Sequence, residues 1–203
     1  MSPHSAALSS KDSQLVQIID AASSDAAHRS GAWLQCRLGC TQCCIGIFSI
    51  TRLDALRLRA GLAELATADP ARSAAVRARA AASIERLTPS FPGDTATGRL
   101  DESHPGYEDF ANDEPCPALD PSTGACDLYT ARPVTCRVFG PPIQSEGGIG
   151  VCELNFMGAT ESEILAAQLD TSWSALEDSL NAQAESETHR SGPTTVAWAL
   201  ARN

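Results

Sequence analysis

Apolar residues recur at helical spacing through most of this chain, and the cysteines lie where that rhythm stops. Between Gln14 and Ala27, Leu15, Val16, Ile18, Ile19 and Ala22 repeat at the interval of a helix facing a core, and Ser30-Gly31 ends it. Leu53, Leu56, Leu58, Leu62 and Leu65 predict a second helix to about Ala66, behind a Thr51/Asp54 capping box. Asp69-Pro70 then supplies an N-cap and a proline at the first helical position, and an Arg/Ala-rich run extends to Leu87. Its Arg72, Arg77, Arg79 and Arg86 predict a basic face, read as solvated surface. Thr160-Glu161-Ser162-Glu163 caps the clearest helix, which carries Leu165, Leu169, Trp173, Leu176 and Leu180 on one stripe to about Ala184. Gly192-Pro193 breaks the chain before a short final helix over Thr195 to Leu200.

The rest is irregular. Residues 1–12 are polar and Ser-rich, predicting a disordered N-terminus. From Thr88 to Glu114 there is no periodicity, which predicts a long loop with His104, Tyr107 and Phe110 as anchors. Asp120-Pro121-Ser122-Thr123-Gly124 is turn chemistry that folds Cys116 back toward Cys126, as in a small β-hairpin near 116–129. Arg132-Pro133 opens a short helix through Cys136 and Arg137 that stops at Gly140-Pro141-Pro142, and Gly147–Gly150 turns the chain before Cys152. The fold class expected is mainly α: a single helical domain over 13–203, with two cysteine-rich loops converging on a metal site inside a cysteine core, 36–152.

Composition agrees with that class. The chain has 203 residues, enough for one domain with a core. Aromatic residues are only 5%, so the core rests on Leu, Ile, Val and Ala, a mixture that favours helices. The net charge is −10, and the acidity is concentrated after Pro89, which disfavours nucleic acid and anionic membrane as partners. No apolar run approaches the roughly 20 residues of a membrane span. The N-terminus lacks the pattern of a signal peptide, so the expected compartment is a reducing cytoplasm. There, cysteines bind metal or do redox work more often than they form disulfides.

Eight cysteines are the candidate chemistry. Cys36, Cys40, Cys43 and Cys44 fall within nine residues, and Cys116, Cys126, Cys136 and Cys152 follow far downstream. Cys36/Cys40 and Cys40/Cys43 have the two-to-four-residue spacing that aims two sulfurs at one zinc, and iron–sulfur ligation uses similar spacings closed by a remote cysteine. Adjacent side chains usually project apart. Cys43 and Cys44 are therefore expected to divide between a structural and a ligand role, between two metals, or between atoms of a cluster. Disulfides, and a redox pair at Cys40-Thr-Gln-Cys43, are the competing readings. Cys36-x3-Cys40-x2-Cys43 also has the ligand spacing of radical SAM enzymes, but Gln42 stands where they carry an aromatic residue, and strand–helix repeats are absent. The four histidines lie apart, none at metal-ligand spacing.

Two stretches resemble the bacterial YkgJ-type family of zinc- or iron-chelating domains, whose signature is CxxCxxCC. One is Cys36-Arg-Leu-Gly-Cys40-Thr-Gln-Cys43-Cys44, a CxxxCxxCC variant; the other runs Cys116-Pro117-x-Leu119, Gly124-x-Cys126-x-Leu128-Tyr129, Arg132-Pro133-x-x-Cys136-Arg137, with Cys152-Glu153 beyond. The resemblance implies chelation of zinc or iron, the latter including an iron–sulfur cluster, by some or all of the eight thiolates. It also implies that Tyr129, Arg132 and Arg137 support the site. Relatives such as flagellin lysine N-methylases are enzymes, so a cluster-dependent enzyme and a thiol/disulfide redox protein are the alternatives.

Overall fold

The computed structural model describes residues 3–145 and 147–201. It is mainly helical, as the apolar rhythm predicts. Seven α-helices appear among the described residues: α1 (Pro3–Ser30), α2 (Arg52–Ala68), α3 (Pro70–Leu87), α4 (Val134–Val138), α5 (Glu161–Ala166), α6 (Ser174–Thr188) and α7 (Val196–Ala201). Two antiparallel hairpins accompany them, β1 (Gly93–Asp94) with β2 (Arg99–Leu100) and β3 (Ile143–Ser145) with β4 (Gly148–Gly150). The chain divides into two compact units, each assembled from separate segments. One combines Met1–Arg37 with Val134–Leu180, the other Leu38–Pro133 with Asn181–Asn203.

In the first unit, α1 packs against α4 and α5. The helix begins at Pro3, within the stretch expected to be disordered; Met1 and Ser2 lie outside the described residues. Leu8 is buried one heptad before Leu15, on the stripe that continues through Ile19 and Ala26. A Ser-rich composition hid that one anchoring leucine. Arg137 of α4 donates to both carboxylate oxygens of Asp20 on α1 at 2.8 Å. The expected continuous helix from Thr160 is two helices. Its capping box forms as expected, but the helix ends at Ala166. Leu169 N–H turns away to the Pro142 carbonyl at 2.8 Å, and the Asp170 carboxylate accepts from Ser172 N–H just before α6 starts. Asp-Thr-Ser turn chemistry outweighs the apolar stripe there.

In the second unit, α2, α3 and α7 pack on one another around Ile50, Leu58, Leu62, Val76, Ala80 and Leu200, with Cys116 and Cys126 seated against this cluster. The capping box of Thr51 and Asp54 and the Asp69 cap of α3 form as expected. Asn181 Oδ1 also accepts from Arg52 N–H at 3.0 Å, a cap supplied from α6. The 88–114 stretch is ordered rather than a free loop: its hairpin and Phe91, Leu100 and Phe110 pack around Trp198, with Tyr107 against them. His104 is exposed, its Nδ1 accepting from Gly106 N–H.

Gly61 lets the turn before Arg132 sit directly on α2. A methyl at Gly61 would fall 2.3 Å from the Ala131 methyl. Gly61→Ala is therefore expected to destabilise by about 1–3 kcal/mol through overpacking, lowering the thermal midpoint by about 2–12 °C. Circular dichroism melts check this. A raised midpoint, as alanine's helix propensity alone would give, would refute the close approach.

Candidate metal centre

The first cysteine loop is shaped by a tight turn. Cys44 N–H donates to the Thr41 carbonyl at 2.7 Å, and Gln42–Cys44 forms one 3₁₀ turn. The chain then pairs with the segment entering the second loop. Ile45 bridges Pro115, Gly46 N–H donates to Glu114 O at 2.9 Å, and Cys116 N–H donates to the Cys44 carbonyl at 2.7 Å. Cys44 and Cys116 are thus joined backbone to backbone. The second loop folds back as its turn residues predict. Leu119 bridges Cys126, Asp120 N–H donates to Ala125 O, and the Asp120 carboxylate takes Ser122 N–H and the Ser122 and Thr123 hydroxyls.

These backbone ties bring Cys43, Cys44, Cys116 and Cys126 into one neighbourhood. Cys44 hydrogen-bonds Cys43, which lowers the Cys43 thiol to about 6 against opposing burial, with help from the Arg132 charge. The same bond raises Cys44, and burial and the other three thiols raise it further. Burial pushes Cys116 up to about 12 and raises Cys126. Adjacent thiols were expected to point apart; here they meet.

Among the described residues no three His, Cys, Asp or Glu side chains already stand at ligating geometry. The fit is therefore judged by donor chemistry. Four neighbouring sulfurs suit zinc or iron, and rotation about χ1 carries each sulfur between staggered positions. Cys40 belongs to the same loop, flanked by Gly39 and Thr41, which line the Gly124 turn.

Cys36, Cys136 and Cys152 belong to the first unit. There Asn155, 3% exposed, gathers the surrounding backbone. Its Oδ1 accepts from Gln35 N–H at 2.8 Å, and its amide donates to Gly140 O at 2.9 Å and to Cys36 Sγ at 3.6 Å. Its own N–H donates to the Cys152 carbonyl. Cys136 lies on α4, four residues before Gly140. Of the supporting residues expected, Arg132 lies 3.9 Å over the Tyr129 ring and acts electrostatically on Cys43 and Cys126. Arg137 holds Asp20 in the first unit.

The basic face of α3 is not merely solvated. Arg72 and Arg79 both pair with Asp127, whose side chain is 2% exposed, and Arg79 Nε donates to Pro117 O at 2.8 Å. Arg86 pairs with Glu114 at 2.6 Å. The three arginines recur every seven residues and grip both ends of the second cysteine loop. Sequence reasoning missed Asp127, Glu114 and Asn155. The heptad of arginines facing acids beside cysteines was a usable signal for the first two; nothing marked Asn155.

Residues 35–152 match the model of a family described as "CxxCxxCC: Putative zinc- or iron-chelating domain". The chain belongs to the CxxCxxCC family. No curated protein and no solved structure matches it. The matched span carries all eight cysteines of this CxxCxxCC member, from both units.

Proposed function

We propose that this protein binds zinc or iron through Cys43, Cys44, Cys116 and Cys126, with Cys40 on the same loop and Cys36, Cys136 and Cys152 as further candidate donors. The observation that carries this is the Cys44–Cys116 backbone pairing, which draws vicinal thiols from one loop onto two from another. Arg132 tunes the group by offsetting thiolate charge, and the arginine pairs of α3 hold the second loop in place. The iron form includes a cluster, to which vicinal thiols could supply different atoms. Anaerobic purification with elemental analysis and a visible spectrum tests the reading. Colourless protein with stoichiometric zinc, or brown protein with iron and acid-labile sulfide, supports it. Protein that retains neither metal after incubation with zinc and, separately, with ferrous iron followed by dialysis refutes it.

Metal must displace the protons these thiols hold. Cys43, at about 6, is already mostly thiolate at neutral pH, whereas Cys44, Cys116 and Cys126 are raised and protonated. Loading at pH 7.5 is therefore expected to release about three protons per metal, with affinity rising as pH rises and falling off more steeply below about pH 6. Calorimetry in buffers of different ionisation enthalpy counts them. Release of none, or of one, would exclude this ligand set.

A further inference from the structure

Several arginines gather at one place in the second unit, in a chain of net charge −10. Arg52 and Arg59 stand seven residues apart on α2. Arg52 is 4% exposed; its Nε donates to Gly192 O at 2.7 Å and its Nη2 to Ser191 O at 3.4 Å. Arg59 Nε donates to Ala199 O at 3.0 Å. Both side chains thus reach the segment around α7 that Arg190 leads into. Arg99 packs over the same spot, since a methyl at Gly192 would lie 3.1 Å from its Cδ.

Charges of one sign meet here. Burial, Arg190 and Arg59 all disfavour the charged form of Arg52, and burial and Arg190 do the same to Arg59. Glu185 is the carboxylate that faces Arg52, and its Oε1 is engaged by Gly192 N–H at 2.8 Å. Asp94 and Asp101 face Arg99. Among the described residues no carboxylate forms an ion pair with Arg52, Arg59 or Arg190. Like charges withdrawn from water are costly unless an opposite charge joins them. Guanidinium forks match tetrahedral oxyanions closely.

We propose that Arg52, Arg59 and Arg190 form a binding site for a small phosphate-type oxyanion, held by donors that the backbone carbonyls leave over. Arg52 is the buried anchor, and Arg59 and Arg190 close on the anion from the more exposed side. The anion is either free phosphate or the phosphate of a monoester.

The test is thermal unfolding of the full chain in inorganic phosphate, and separately in glycerol 3-phosphate, against sodium chloride at matched ionic strength. At ten times Kd the midpoint is expected to rise by about 3–6 °C over chloride. A response to inorganic phosphate assigns the site to the free anion, and a stronger response to the ester assigns it to the ester. Arg59→Gln and Arg190→Gln should each abolish the shift. Arg190→Gln should also melt higher than wild type in low-salt chloride, because it removes repulsion. That opposite sign separates loss of a ligand site from loss of fold. No phosphate-specific shift, or a shift that survives both substitutions, overturns the proposal.

Discussion

Cys116→Ser is expected to cut zinc or iron affinity by about 100-fold or more. Structural zinc sites bind with about 10–16 kcal/mol, so one of four equal donors carries about 3 kcal/mol, close to two powers of ten. Serine keeps the size and the backbone tie to Cys44 but offers a hard hydroxyl in place of a thiolate. Because Cys116 holds its proton up to about 12, metal-free protein at neutral pH loses only a neutral thiol and should melt close to wild type. Competition against a chromophoric chelator reads the affinity, and Cys152→Ser from the first unit is the comparison. Equal losses in the two variants would mean that the four-thiol group is not a centre by itself. Undiminished affinity in Cys116→Ser would remove Cys116 from the ligand set.

The second large effect is on stability and needs no metal. Asp127→Asn replaces a buried carboxylate that accepts from both Arg72 and Arg79. The amide keeps one acceptor and turns an N–H₂ toward an arginine. Breaking a fully buried ion pair costs about 3–5 kcal/mol. Arg72 is half exposed and can regain water, so about 2–3 kcal/mol is expected here, a drop of about 4–12 °C in midpoint for a chain of this size. The loss should appear in metal-free and metal-loaded protein alike, which separates it from Cys116→Ser. A change below about 0.5 kcal/mol, the range of ordinary surface substitutions, would show that the arginine grip contributes nothing.

The helices were legible where their signals were local. Thr51, Asp69 and Thr160 cap as their spacing predicts, because a capping bond involves residues only three apart. The convergence of Cys116 and Cys126 was legible from the Asp120–Gly124 turn for the same reason. What stayed hidden depends on partners far along the chain. The meeting of Cys43 with Cys44 follows from the 3₁₀ turn being pinned to Glu114–Cys116, some 70 positions away. Asn155 is a hub only because Gln35, Cys36 and Gly140 surround it. The split between α5 and α6 stayed hidden because the long apolar stripe runs straight across the Asp170-Thr171-Ser172 turn. The arginine face of α3 was visible as a pattern, and its use was misjudged because the answering acids sit in an irregular loop.

The Cys44–Cys116 pairing closes a chain excursion that contains α2, α3 and the β1–β2 hairpin. A metal shared across that neck acts as a removable cross-link. By the loop-closure relation, joining ends about 70 residues apart lowers the entropy of the unfolded chain by the equivalent of about 4–5 kcal/mol. Metal supply would then set the lifetime of the protein against proteases, since withdrawing the ion unfastens half of the second unit at a single point.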